Sequence, residues 1–228
     1  MSRNENDSNL LFLLKLNLEG NPIIEMDHFT QTAITSLRSL SILSLSRTQM
    51  SDLPKDFLAG LTRLVKLDLS YNKFVVVPEE TENAKKLVEL NIDGNLMKDF
   101  SRNSFLGLNN LEILSASNLK NLQKIEAGAF SPLPNLSTLI MNDNPSNGFL
   151  DPDAFDDLTV ETFKLKSLHL RNNSLRYLPR DLWPEFGLWN QIEVIDLRSN
   201  PWVCDCHNEW ILTSLYKHIL NETPGKCF

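Results

Sequence analysis

Three residue types in this chain could carry chemistry: cysteine near one end, histidine in four scattered places, and arginine in a repeated context. Cys204-Asp205-Cys206-His207 is followed by Cys227, 21 positions after Cys206. Four such ligands could hold zinc, but C-x-C-H lacks the usual C-x₂₋₄-C spacing, so a metal site is disfavoured. An odd number of cysteines in an exported protein otherwise points to intermolecular pairing or a missing partner. The histidines are His28, His169, His207 and His218, and none lies in an H-E-x-x-H zinc-protease motif. No serine sits in G-x-S-x-G, and no glycine-rich loop could cradle a phosphate; there are eight glycines in all. Convergent acid, base and nucleophile are therefore not in view, and neither an enzyme nor a cofactor is expected.

What remains is recognition chemistry. Arg171 and Arg198 could each grip a carboxylate, sulfate or phosphate bidentately. His169 stands close to them in sequence and could make that end pH-sensitive. Lys66, Asp68, Glu89, Asn91 and Asp93 form a more acidic group upstream, and Lys166 and Asp196 complete the downstream set. Ile42 and Ile113, amid Ser44, Ser46, Ser115 and Ser117, suggest a flatter, less charged strip.

All of these residues occupy equivalent places in a repeat. The template L-x-x-L-x-L-x-x-N reads Leu13, Leu16, Leu18, Asn21, then Leu64, Leu67, Leu69, Asn72. It returns as Leu87, Leu90, Ile92, Asn95, as Leu136, Leu139, Met141, Asn144, and as Leu165, Leu168, Leu170, Asn173. The last copy is Ile192, Ile195, Leu197, Asn200. Two copies are imperfect: Thr48 stands where Asn is expected, and Leu119 follows Asn118, which comes one place early. First leucines are spaced by 23 to 29 residues.

Leucines two apart on a short strand point to the same side, into a core, and the residues between them face the opposite way. The Asn falls where the chain leaves the strand, and its amide can satisfy backbone groups that the turn exposes. No single repeat could bury its apolar side alone, so stability must come from stacking. The expected fold is an α/β solenoid: a right-handed leucine-rich-repeat horseshoe with a parallel concave sheet and an irregular convex side. Phe29, Phe57, Phe105, Phe130 and Phe155 recur after the strands and are expected to form a core spine. His28 and His218 are expected on the surface. Pro54, Pro78 and Pro179 suit a non-helical descent. Pro145 to Asp153 adds residues to the longest repeat, either as a recognition loop or as a tolerated surface loop.

The repeats resemble the typical class of extracellular leucine-rich repeats. Asn200-Pro201-Trp202-Val203-Cys204-Asp205-Cys206, with Trp210 and Cys227, resembles the cysteine-rich C-terminal flanking cap of that family. Toll-type receptors, Slit-like guidance proteins and matrix or adhesion proteins share both features. The resemblance implies a disulfide-type helical cap over 200–228, repeats over 13–199 and a short N-terminal edge at 1–12. It also implies that Cys204 pairs with Cys227, leaving Cys206 without the fourth cysteine of the family pattern. Exported proteins of this kind carry glycans, and N-x-S/T sequons occur at Asn6, Asn135, Asn172 and Asn221. A glycan on Asn172 would stand at the strand exit and block part of the concave face.

Composition narrows the partners. The 228 residues carry 22 Lys and Arg against 29 Asp and Glu, a formal net charge of −7 that would repel nucleic acid on average. No stretch reaches the roughly 20 apolar residues of a membrane span, or the core of a signal peptide. An extracellular or cell-surface protein whose leader lies outside this chain is the expectation. The function expected is protein–protein recognition on the concave face, by the ectodomain of a receptor or adhesion protein. A secreted matrix or guidance protein and an intracellular scaffold are the alternatives. A protein ligand or a glycoconjugate is the expected partner, with homodimerisation left open.

Overall fold

In the computed structural model, residues 11–159, 161–182, 191–203 and 205–211 are described. Eight short parallel strands form one sheet: β1 (Lys15–Asn17), β2 (Ile42–Ser44), β3 (Lys66–Asp68), β4 (Glu89–Asn91), β6 (Ile113–Ser115), β8 (Thr138–Ile140), β10 (Ser167–His169) and β11 (Val194–Asp196). Each pairs with the strand of the next repeat, with Leu16, Leu43, Leu67, Leu90, Leu114, Leu139, Leu168 and Ile195 in register. From Leu43 onward these central residues are buried, as the period-two pattern requires. The chain is therefore a leucine-rich-repeat horseshoe, one repeat per strand.

Asparagine closes most of the turns. Asn72, Asn95, Asn144, Asn173 and Asn200 donate through Nδ2 to a carbonyl three residues back and to one in the preceding repeat. The residue just before the closing position has a positive φ in all eight repeats: Gly20, Arg47, Tyr71, Gly94, Asn118, Asp143, Asn172 and Ser199, between 53° and 76°. That left-handed step swings the next side chain under the strand. Thr48 substitutes for Asn by donating its hydroxyl to the Leu45 carbonyl at 2.7 Å. Leu119 makes no such bond and simply fills the core, fully buried.

Three outcomes differ from the sequence reading. Phe29 is not part of the spine: it is 84% exposed. It lies on a helix, α1 (His28–Thr35), capped by the Asp27 carboxylate accepting from Thr30 N–H at 2.7 Å. Five residues at about 100° each place Phe29 about 140° around α1 from the buried Ile34. Phe57, Phe105, Phe130 and Phe155 are buried, and the spine gains Phe100 and Phe163. Second, the convex side carries α1 and two 3-10 turns, Leu58–Gly60 and Glu79–Asn83, so it is not wholly irregular. Third, a small parallel sheet follows the asparagine turns: β5 (Asp99–Phe100), β7 (Lys124–Ile125) and β9 (Phe149–Leu150). The inserted stretch from Pro145 to Asp153 supplies β9, so part of it is a sheet element.

That insertion leaves a polar defect. Asn147 is fully buried and neither of its side-chain polar atoms has a hydrogen-bond partner. The equivalent positions hold Phe74, Met97, Leu122 and Leu175, all buried. Asn147 N–H turns back to the Asn144 carbonyl, and in the next repeat the buried Asn173 Oδ1 is also left without a partner. Asn147→Leu is expected to stabilise the fold by about 1–3 kcal/mol, since an unsatisfied buried amide costs that much. Thermal denaturation reads this as a rise of about 2–4 °C per kcal/mol for a chain of this size.

After the last strand, Trp202 packs against the core, and Trp210 and Ile211 are buried. Cys204, Cys227, His218, Asn6 and Asn221 lie outside the described residues, so the implied Cys204–Cys227 pairing falls there too. Cys206 is an exposed free thiol.

Candidate binding surface

Side chains between the leucines form columns down the concave sheet, because parallel pairing is in register. One column runs Lys15, Ile42, Lys66, Glu89, Ile113, Thr138, Ser167, Val194; the next runs Asn17, Ser44, Asp68, Asn91, Ser115, Ile140, His169, Asp196. A third follows the strand ends and holds Ser46, Ser70, Asp93, Ser117, Asn142, Arg171 and Arg198. The expected residues thus do come together on one surface. Its N-terminal half contains a groove of about 260 Å³, lined by Lys15, Glu19, Ile42, Lys66, Asp68 and Glu89 among others.

Several of these side chains already have work within the fold. Asn17, Asp68, Asn91 and Asp196 each accept from the backbone N–H two residues on, at 2.9–3.2 Å, turning the chain at the strand exit. The Asp93 carboxylate accepts from Ser117 N–H at 2.7 Å and Ser115 Oγ at 2.8 Å. Burial nevertheless raises its pKa above the ordinary aspartate value, with the nearby Asp68 adding to the shift. Lys66 is paired with Glu89 on the adjacent strand.

The C-terminal end departs most from expectation. Asp196 is only 3% exposed, not a solvated concave residue. Arg198 lies over it, with Nε and Nη2 donating to its two carboxylate oxygens at 2.7 and 2.8 Å. Burial opposes the charge of Asp196, but the Arg198 hydrogen bonds outweigh it and hold its pKa below the ordinary value. The bidentate grip foreseen for an external anion is therefore already used inside the chain. Arg171 is exposed and sits 3.5 Å from Asp143, a looser contact. His169 is half-buried, bonded to Ser167 Oγ at 2.8 Å. Burial lowers its pKa and Arg198 adds to that, while Asp196 opposes both.

The two described sequons differ. Asn172 is exposed at a left-handed turn, its amide donating to Asp143 Oδ1 at 2.8 Å. Asn135 is partly buried and donates to the Asn109 carbonyl at 2.7 Å, so a glycan there would have to displace a backbone bond. Among the described residues no group of three or more His, Cys, Asp or Glu is placed to hold a metal ion. No helix among them is long and apolar enough to cross a membrane.

Two features escaped the sequence reading. A groove of about 540 Å³ opens between the seventh repeat and the stretch after β11, lined by Tyr177, Leu178, Pro179, Arg180, Cys206, His207 and Trp210. Asp205 braces it through Tyr177 OH and His207, each at 3.3 Å. The other is a stacked pair at the rim: the Arg47 guanidinium carbon lies 4.2 Å from the centre of the Tyr71 ring. Both residues adopt the left-handed conformation, which costs a residue with a Cβ about 1–2 kcal/mol. The signal was present in the sequence, since the same position elsewhere holds mostly Gly, Asn or Asp, which tolerate that conformation.

Comparison with known proteins agrees with the fold. Residues 13–74 and 62–120 match the leucine rich repeat family. The chain is 32% identical over 173 residues to Toll-like receptor 9 of Mus musculus, covering 74% of this chain and 16% of the receptor. It is 28% identical over 223 residues to trophoblast glycoprotein of Macaca fascicularis, covering 90% of this chain and 52% of that protein. Among solved structures it is similar to a TLR13–ssRNA13 complex, with a TM-score of 0.55 and 25% identity, over 82% of this chain and 28% of the other. The chain thus spans about half or less of the length of these relatives.

Proposed function

We propose that this chain is an extracellular recognition module, the binding part of a cell-surface receptor or adhesion protein, that takes a protein ligand on its concave sheet. The observation that carries this is the in-register columns, which change from a mostly acidic end, with Glu19, Asp68 and Asp93 beside a Lys66–Glu89 pair, to one that carries the exposed Arg171. A ligand with separated basic and acidic groups would be bound in one orientation, since like charges would oppose the reverse. Similarity to a receptor and to a glycoprotein supports an exported protein. A secreted binding protein without signalling is the alternative within this reading.

The TLR13 complex contains single-stranded RNA, and this favours a second reading, nucleic acid on the exposed cation Arg171. A net charge of −7 weighs against it. The test is to screen displayed secreted proteins and a single-stranded RNA oligonucleotide against the full chain. A protein ligand should lose at least about tenfold in affinity with Arg171→Glu and nothing with Lys55→Glu on the outer side. Arg198→Glu is a poor probe, because it would strand the buried Asp196. Equal binding by the Arg171 variant would remove that end of the sheet from the site. Tight RNA binding with no protein ligand would replace the first reading by the second.

A further inference from the structure

Four of the large apolar side chains left in water stand together where the chain leaves the concave sheet for the convex side. They are Tyr71, Val75 and Val76 in the third repeat, 42%, 57% and 64% exposed, and Leu96 in the fourth, 40% exposed. Backbone bonds hold the two stretches side by side, Tyr71 N–H to the Asp93 carbonyl at 2.6 Å and Leu96 N–H to the Phe74 carbonyl at 2.9 Å. Lys73, Lys98 and Lys120 rise from the same flank and are exposed. Among the described residues none of these three lysines has a carboxylate within ion-pair distance. Asp99, the nearest carboxylate in sequence, faces Lys124, which is itself paired with Glu126.

Tyr71 is the fixed point of this patch. One face of its ring lies on Gly94, where an added Cβ would come within 2.4 Å of Cδ1. The other face carries the Arg47 guanidinium, which is in turn 3.8 Å from Glu19. The ring is therefore held in place before any partner arrives, and it is held there on a strained backbone. The turn imposes that backbone in every repeat, so a tyrosine standing there in place of Gly, Asn or Asp points to use of the side chain. Tyr and Arg are also the side chains that most often anchor interfaces, and a rigid anchor loses little freedom on binding.

We propose that this flank docks an acidic, aliphatic protein segment. Its carboxylates meet Lys73, Lys98 and Lys120, its apolar side chains cover Val75, Val76 and Leu96, and Tyr71 anchors it. A second copy of this chain fits poorly, since a two-fold interface here would set these lysines against themselves. An anionic bilayer or a polynucleotide is an extended surface and would feel the net charge of −7. A short acidic segment feels mainly the local lysines, because charges beyond about 8 Å are screened at physiological salt.

This surface adjoins the concave sheet at the Arg47–Glu19 contact, but its docking side chains are others than those of the sheet. The test uses the full chain and a fluorescein-labelled short peptide alternating glutamate with leucine, beside the same peptide with lysine for glutamate. The acidic peptide should bind at least about tenfold more tightly than the basic one. The double variant Lys73→Glu, Lys98→Glu should lose that affinity. Tyr71→Asn should lose it as well, while its melting temperature does not fall, because Asn tolerates the left-handed conformation. Arg171→Glu should bind the peptide as the natural chain does. Unchanged binding by the flank variants, weakened binding by Arg171→Glu alone, or binding of phosphatidylserine vesicles in place of the peptide would each overturn the proposal.

Discussion

Asn72→Ala is expected to destabilise the solenoid by more than about 4 kcal/mol, in the range that single substitutions rarely reach. The side chain is 5% exposed and serves six partners. Nδ2 donates to the carbonyls of Leu45 at 2.7 Å, Leu69 at 3.0 Å and Ser70 at 3.3 Å. Oδ1 accepts from Thr48 N–H at 3.0 Å, Thr48 Oγ1 at 3.1 Å and Met50 N–H at 3.2 Å. Alanine would leave backbone groups of two repeats unpaired in a place the fold keeps dry, at about 1–3 kcal/mol for each that finds no substitute. Partial entry of water lowers the sum but does not restore the bridge between repeats. Asn118→Ala is the control: it has the same residue type one place before the closing position, and its side chain bridges no repeats. It should cost about 1–2 kcal/mol, the penalty of a Cβ residue in its left-handed turn without Asn's local tolerance. Urea denaturation of both variants measures the difference, and similar midpoints would mean that the asparagine ladder is not what joins the repeats.

The repeats were legible because their signal is local. Leu-x-Leu at period two forces a strand face, and the central residue of each of the eight copies, Leu or Ile, does lie at a strand centre. Asn72 and its counterparts could be placed for the same reason, since a turn must satisfy its own amides. What could not be read were features set by neighbours in space. Phe29 has the spacing of the spine residues, yet a three-residue capping relation between Asp27 and Thr30 starts a helix that rotates it outward. Asp196 is buried where the equivalent residues of other repeats are at most half-buried, and Arg198 folds back over its carboxylate. The small sheet arises because repeats four to six run extended after the turn, while Val75 and Val76 in repeat three bend away. The candidate flank was missed for a related reason: Tyr71, Val75 and Leu96 share no motif and meet only through stacking. Its one readable sign was Arg47 and Tyr71 standing where other repeats place Gly or Asn.

Phe130→Ala is expected to cost about 3–5 kcal/mol, as large-to-small changes of a buried aromatic do, and to lower cooperativity as well. Phe130 is 1% exposed and packs between Phe105, stacked at 6.0 Å, and Phe155 at 5.0 Å. The chain of rings continues to Phe100 at 5.1 Å on one side and Phe163 at 5.7 Å on the other. In a solenoid, stability is the sum of repeat terms and nearest-neighbour interfaces, so a single ring in the middle contributes to both interfaces at once. Its loss should let the repeats after β7 unfold apart from those before it. Urea denaturation followed by fluorescence would then show a lower m-value, and hydrogen exchange would show weaker protection in β8 and β10 than in β3. Phe29→Ala, which removes a ring of the same size from the surface, should change stability by no more than about 0.5 kcal/mol. If Phe130→Ala instead shifts the midpoint with the m-value unchanged, the horseshoe folds as one unit. The spine would then supply core volume without setting how tightly one repeat is coupled to the next.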